Sequence, residues 1–89
     1  MTTVFLKHRV RDYGEWRKVY DKYGGFQKEQ GITSAVVYRG EDEPDDVTVV
    51  HEFASLEAAR AFVGNADLKA AMGAAGVIGD PLFWIATRT

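Results

Sequence analysis

The stretch Val4-Phe5-Leu6-Lys7-His8-Arg9-Val10-Arg11-Asp12-Tyr13-Gly14-Glu15-Trp16-Arg17-Lys18-Val19-Tyr20 decides the fold, because it changes from the period of a strand to that of a helix. Up to Val10 the period is two: Val4, Leu6, His8 and Val10 share one face, and Phe5, Lys7 and Arg9 share the other. Asp12 and Glu15 then have the spacing of a capping box, with Asp in place of Ser or Thr. The Asp carboxylate can accept from early backbone N–H groups, and the Glu can reach back. A helix is therefore expected from Tyr13. Along it Tyr13, Trp16, Val19 or Tyr20, Tyr23 and Phe26 or Gln27 recur every three or four residues as an aromatic stripe, with Arg17, Lys18, Asp21, Lys22 and Lys28 opposite. The stripe is expected to face a sheet. Gly24-Gly25 weakens this helix by about 1 kcal/mol per glycine relative to alanine, which predicts a bend, a frayed turn or a close backbone approach.

Outward from that unit, Gly31 stands where a helix C-cap belongs, and Ile32–Arg39 reads as a β-branched second strand. The acidic run 41–46 contains Pro44 and no apolar anchor, so it is expected to be an exposed loop rather than a Ca²⁺ site. Residues 47–53 form the third strand. Ser55 can cap a helix over Leu56–Val63, ended by Gly64-Asn65; Asp67 can cap a second piece over 68–75, ended by Gly76. Pro81 is expected to open the last strand, 82–88, where a missing N–H is tolerated.

The order strand, helix, strand, strand, helix, strand predicts a ferredoxin-like βαββαβ α+β fold: an antiparallel sheet with helices on one face. Alternation places Val4, Leu6, His8, Val36, Tyr38, Val47, Val49, His51, Phe53, Phe83 and Ile85 under the helices. The opposite face mixes Phe5, Val37, Val50, Leu82 and Trp84 with Lys7, Arg9, Arg39, Glu52 and Arg88, and no segment remains to cover it. A second copy of the chain, pairing sheet to sheet, is the expected cover.

A chain of 89 residues is read as one domain, 1–89, with a small core, and with no cysteine there is no disulfide or thiolate site to reinforce it. A formal charge of −2 and a pI near 5.6 leave no basic stripe for nucleic acid. The first residues read as a strand rather than a secretory signal, and no run approaches the roughly 20 apolar residues of a spanning helix. No membrane partner is expected, and the expected location is the cytoplasm.

The His8-x-Val10-x-Asp12-Tyr13-x-x-Trp16 segment, the Val50-His51-Glu52-Phe53 strand and the Ser55-x-Glu57-x-Ala59-Arg60-Ala61-Phe62 helix resemble the small dimeric α/β-barrel proteins. Within that superfamily the chain is most similar to antibiotic biosynthesis monooxygenase-like and cyclase-like proteins. The resemblance implies a homodimer with sheets face to face and a pocket between sheet and helices in each subunit. Such relatives range over cofactor-independent oxidation of polycyclic phenols, polyketide cyclisation and haem degradation. Of the Asn, Trp and Arg set used by the cofactor-free monooxygenases, Trp16 has a counterpart in kind. Residues 56–75 contain no histidine for haem. The expectation is accordingly no cofactor and no metal.

His8 and His51 are the only histidines, and both fall on the apolar strand face. Antiparallel neighbours carrying them toward their C-terminal ends would hold them about 13 Å apart at about 3.3 Å per residue, too far for a shared metal. Each has two readings, a structural histidine bonded to a helix or loop group, or a pocket base with an ordinary pKa near 6.5. The candidate site is thus His8 as the catalytic base, with Tyr13, Trp16, Tyr20 and His51 as ligand contacts. Met72 reads as core. The expected function is binding of an aromatic or polyketide-like metabolite, with cofactor-independent oxidation or cyclisation as the candidate chemistry; the alternative is a non-enzymatic ligand-binding or accessory protein.

Overall fold

The computed structural model describes residues 2–23 and 28–89. Its elements are β1 (Thr2–Val10), α1 (Tyr13–Lys22), β2 (Ile32–Arg39), β3 (Asp46–Phe53), α2 (Leu56–Val63), α3 (Ala66–Ala74) and β4 (Val77–Thr87). The four strands form one antiparallel sheet in the order β2-β3-β1-β4, the ferredoxin-like arrangement anticipated from the sequence. The expected bend at Gly24-Gly25 and the stripe positions Phe26 and Gln27 lie outside the described residues.

The strand-to-helix switch forms as the cap chemistry requires. The Asp12 carboxylate accepts from the Glu15 N–H at 3.2 Å, and the loop residue Asp45 adds a second acceptor for the Tyr13 N–H, also at 3.2 Å. Two carboxylates thus serve the orphan donors at the start of α1, where the helix dipole favours negative charge. The side chain of Glu15 turns to Lys18 instead of back to the cap.

Helices cover one face of the sheet. Leu6, Val10, Val47 and Val49 pack with Trp16 of α1 and with Ala75; Val4 and Phe53 pack with Ala59 and Phe62 of α2. Phe53 and Val47 are fully buried. The β1–β3 register sets Leu6 opposite Val49, and Leu6 also faces Phe83 of β4.

Three local expectations are corrected. Strand β2 is turned over relative to strict alternation, because an irregularity between Ile32 and Ser34 shifts its pairing with β3. Val37 therefore stands opposite Val49 and packs on the core, whereas Val36 and Tyr38 lie on the open face, 43% and 57% exposed. Arg39 moves with Val37 to the helix side, where its guanidinium carbon sits 3.9 Å from the centre of the Tyr13 ring and its Nε donates to the Pro44 carbonyl. Second, α3 is capped by Asn65 rather than Asp67: the Asn65 side chain accepts from the Asp67 N–H at 2.7 Å, so the helix begins at Ala66. Third, β4 starts at Val77, well before Pro81. It is an edge strand whose pairing with β1 breaks register between Lys7 and Arg9, and an edge with a bulge is where a strand tolerates proline.

The open face carries Phe5 stacked on Trp84, with ring centres 5.2 Å apart, beside exposed Leu82 and Val36. No helix is long and apolar enough to cross a membrane among the described residues.

The β2 register makes a direct prediction. Val37→Asp forces a carboxylate against Val49 and should cost about 2–4 kcal/mol of stability in chemical denaturation, whereas Val36→Asp should leave the fold of the subunit intact. Equal losses from the two substitutions would contradict this register.

Candidate active site between sheet and helices

The helix-facing side of β1 and β3 is apolar except for Thr2 at the start of β1 and two imidazoles, His8 and His51, which are 4% and 3% exposed. Alternation puts them there: His8 follows Leu6 on one strand, and His51 follows Val49 on the next. Above them lies the stripe of α1, and the rings form a continuous run. His8 is tilted against Trp16 at 5.5 Å, Trp16 stacks on Tyr20 at 4.8 Å, and Tyr20 stacks on His51 at 6.1 Å. His51 meets the edge of Phe62 of α2 at 5.4 Å.

These groups enclose a cavity of about 60 Å³, closed above by Val19 and Tyr23 of α1 and by Leu68, Ala71 and Met72 of α3. Four of the five residues singled out from the sequence line it: His8, Trp16, Tyr20 and His51. Tyr13 does not. Its ring touches Trp16 from outside and lies beneath Arg39, so it buttresses the wall. Met72, expected in the core, packs against it and also lines the cavity; the residue order carried no signal for Leu68 or Ala71, whose side of α3 is decided only by how that helix packs.

The two imidazoles differ in what they touch. The Tyr20 hydroxyl lies 2.9 Å from His51 Nε2 and donates to it when that nitrogen carries no proton. His8 has no hydrogen-bond partner at either ring nitrogen among the described residues. Leaving a buried donor or acceptor unpaired costs about 1–3 kcal/mol, so such a group calls for an occupant of the cavity, whether solvent or ligand. Burial pushes the His8 pKa down from 6.5 to about 4 against an opposing pull from Asp46, and burial alone brings His51 to about 4. Both rings are neutral near pH 7, each with a lone pair able to accept a proton.

In the β1–β3 ladder His8 pairs with Val47 and His51 with Val4, so the histidines stand four positions apart along neighbouring strands, about 13 Å at about 3.3 Å per residue. Among the described residues no three His, Cys, Asp or Glu side chains converge on a point that could hold a metal ion.

The family model for antibiotic biosynthesis monooxygenases matches residues 12–74, more than half of the chain and including α1, β3 and α2 with their cavity-lining residues. The chain belongs to the antibiotic biosynthesis monooxygenase family. No curated protein sequence matches it. Solved structures share the fold at low identity. One is SnoaB, a cofactor-independent oxygenase from Streptomyces nogalater, with TM-score 0.77 and 15% identity over 98% of this chain and 91% of that one. Structures assigned to antibiotic biosynthesis monooxygenases from Caulobacter crescentus (TM-score 0.78, 21% identity, 99% and 89% coverage) and Bordetella bronchiseptica (0.80, 12%, 99% and 96%) superpose equally well. The monooxygenase family fold thus accounts for the architecture.

The depressed histidine pKa values give the protein a defined acid sensitivity. The unfolded chain takes up protons at both histidines as pH falls through 6.5 while the folded state does not until about 4. Stability should therefore fall between those two values and level off below the lower one, by up to about 3 kcal/mol per histidine. Thermal melts at stepped pH should show this slope, reduced by about half in His8→Gln. An unchanged slope in that variant would place the titration elsewhere.

Proposed function

We propose that the cavity binds a small, flat, hydroxylated aromatic molecule and that His8 accepts the proton of its phenolic or enolic O–H during a cofactor-independent oxygenation. The observation that carries this reading is a buried, neutral imidazole, unpartnered at both nitrogens among the described residues, beside an indole that can stack on an aromatic ring. Membership of the monooxygenase family and the fold shared with a cofactor-independent oxygenase support it.

The chemistry needs little from the protein. A phenol is a poor electron donor and its anion a good one, so removing the proton is the step a side chain can accelerate. A pKa of about 4 makes His8 a weak base toward a phenol, whose ordinary value is near 10. The burial that depresses it acts on a lone charge, however. When imidazolium and phenolate form together in a dry cavity, their attraction offsets much of that penalty. Dioxygen then takes the electrons: phenol plus dioxygen gives quinone plus water, which needs no external reductant. The proton held by His8 leaves with the water. Tyr20 and His51 form a second polar station for another ligand oxygen.

Two expectations follow for variants that remain folded. His8→Gln keeps a polar side chain but no base, and should lower turnover of a hydroxylated naphthalene by about 10²–10⁴ while its binding weakens far less. Oxygen-electrode assays would read the first and calorimetry the second; full turnover in His8→Gln would reject the base.

We also propose that the chain acts as a homodimer joined through its open sheet faces. The support is the apolar set of half-buried Phe5 and exposed Val36, Leu82 and Trp84 on a face that no helix covers. Sheet-on-sheet packing would bury these side chains. Sedimentation of the wild type should give a dimer at micromolar concentration and of Trp84→Glu a monomer or an aggregate; a stable wild-type monomer would refute the assembly.

A further inference from the structure

The cavity is too small for the ligand proposed above. About 60 Å³ holds a few waters, whereas sites for ligands of metabolite size run to about 300–1,000 Å³. Immediately outside lies a groove of about 630 Å³, and the two spaces share Tyr23 and Ala71 as a common wall. That wall lies toward the surface of the subunit. Tyr23 is the C-cap of α1 and 37% exposed, and α3 contributes no fully buried residue. Leu68 and Met72 hold α3 to the core as half-buried contacts, and a helix without a fully buried anchor is the element of this enclosure that can shift to widen it.

The groove is chemically unlike the cavity. Glu29, Gln30 and Asp67 line it with Ala70 and Ala74, and no lysine or arginine is among its described lining residues. Its rim is tied together by the Asn65 side-chain amide, which donates to the Gln30 side-chain oxygen at 3.3 Å while Asn65 also caps α3. On the inner side, His8 is the buried polar group without a hydrogen-bond partner among the described residues.

We propose that this groove is the outer half of the ligand site. A ligand enters by parting Tyr23 from Ala71, sets a flat hydroxylated ring against Trp16 and His8, and leaves its far end beside Glu29 and Asp67. The substrate class is therefore an elongated hydroxyaromatic whose far end is neutral or cationic and hydrogen-bonding, and carboxylated analogues are discriminated against. The inference rests on the ligand-binding reading above.

Three probes separate the two: a naphthol, the same naphthol with a carboxylate at the opposite end of the ring system, and its carboxamide. Dissociation constants come from calorimetry at low ionic strength on the wild type and on a Glu29→Gln, Asp67→Asn double variant whose folding is checked by circular dichroism. The plain naphthol and the carboxamide should bind both proteins alike. The carboxylate should bind the wild type about five-fold more weakly than the carboxamide, recover in the double variant, and lose most of the difference at high salt. If the naphthol binds and the carboxylate binds as tightly as the carboxamide to both proteins, the groove assignment is overturned while the cavity reading stands. If no probe binds, the cavity reading fails and the groove with it.

Discussion

Two neutral imidazoles inside an apolar wall are the constraint around which this structure is arranged. Water would ordinarily keep a histidine half-charged near its pKa, but here burial brings both to about 4. Aromatic rings pack against both. Tyr20 stacks on His51, Phe62 meets it edge-on and Trp16 lies tilted against His8, and Tyr20 also supplies a hydrogen bond to His51. The stripe of α1 thus packs the core and walls the site at once, which couples stability to site chemistry.

Asymmetry between the two histidines follows from what each strand faces. His51 lies under Tyr20 and Phe62, so its Nε2 finds a hydroxyl. His8 lies under Trp16 and has Leu6 and Val10 as its neighbours along the same strand face, so no partner reaches it among the described residues. A protein selected only for stability would replace such a group with an apolar one of similar volume at little cost or even a gain. Its presence beside a stackable indole is the structural basis for reading the cavity as a site.

The enclosure is unevenly built. The sheet and α2 meet in a well-packed cluster of Val4, Phe53, Ala59 and Phe62, while α3 touches the cavity through Leu68, Ala71 and Met72 and has no residue fully buried. Gly76, at φ +86°, ends the segment after α3 in a conformation that side-chain-bearing residues rarely adopt.

Much of this was legible in the residue order. The two-fold period of β1, the Asp12 cap and the three-to-four spacing of Tyr13, Trp16, Tyr20 and Tyr23 are local properties, dictated by backbone geometry and by which side chains can satisfy a helix end. They determined the element order, the fold class and the presence of both histidines on the helix-facing side. Tertiary structure alone decided the rest. One irregularity at Ile32–Ser34 reverses every later side chain of β2, because a strand's period is two and pairing with β3, not sequence, sets where the count begins. The same dependence on neighbours put Arg39 over Tyr13, chose Asn65 rather than Asp67 as a cap, and joined Tyr20 to His51 across 31 positions of chain. Contacts between elements depend on register and packing angle, which no local pattern encodes.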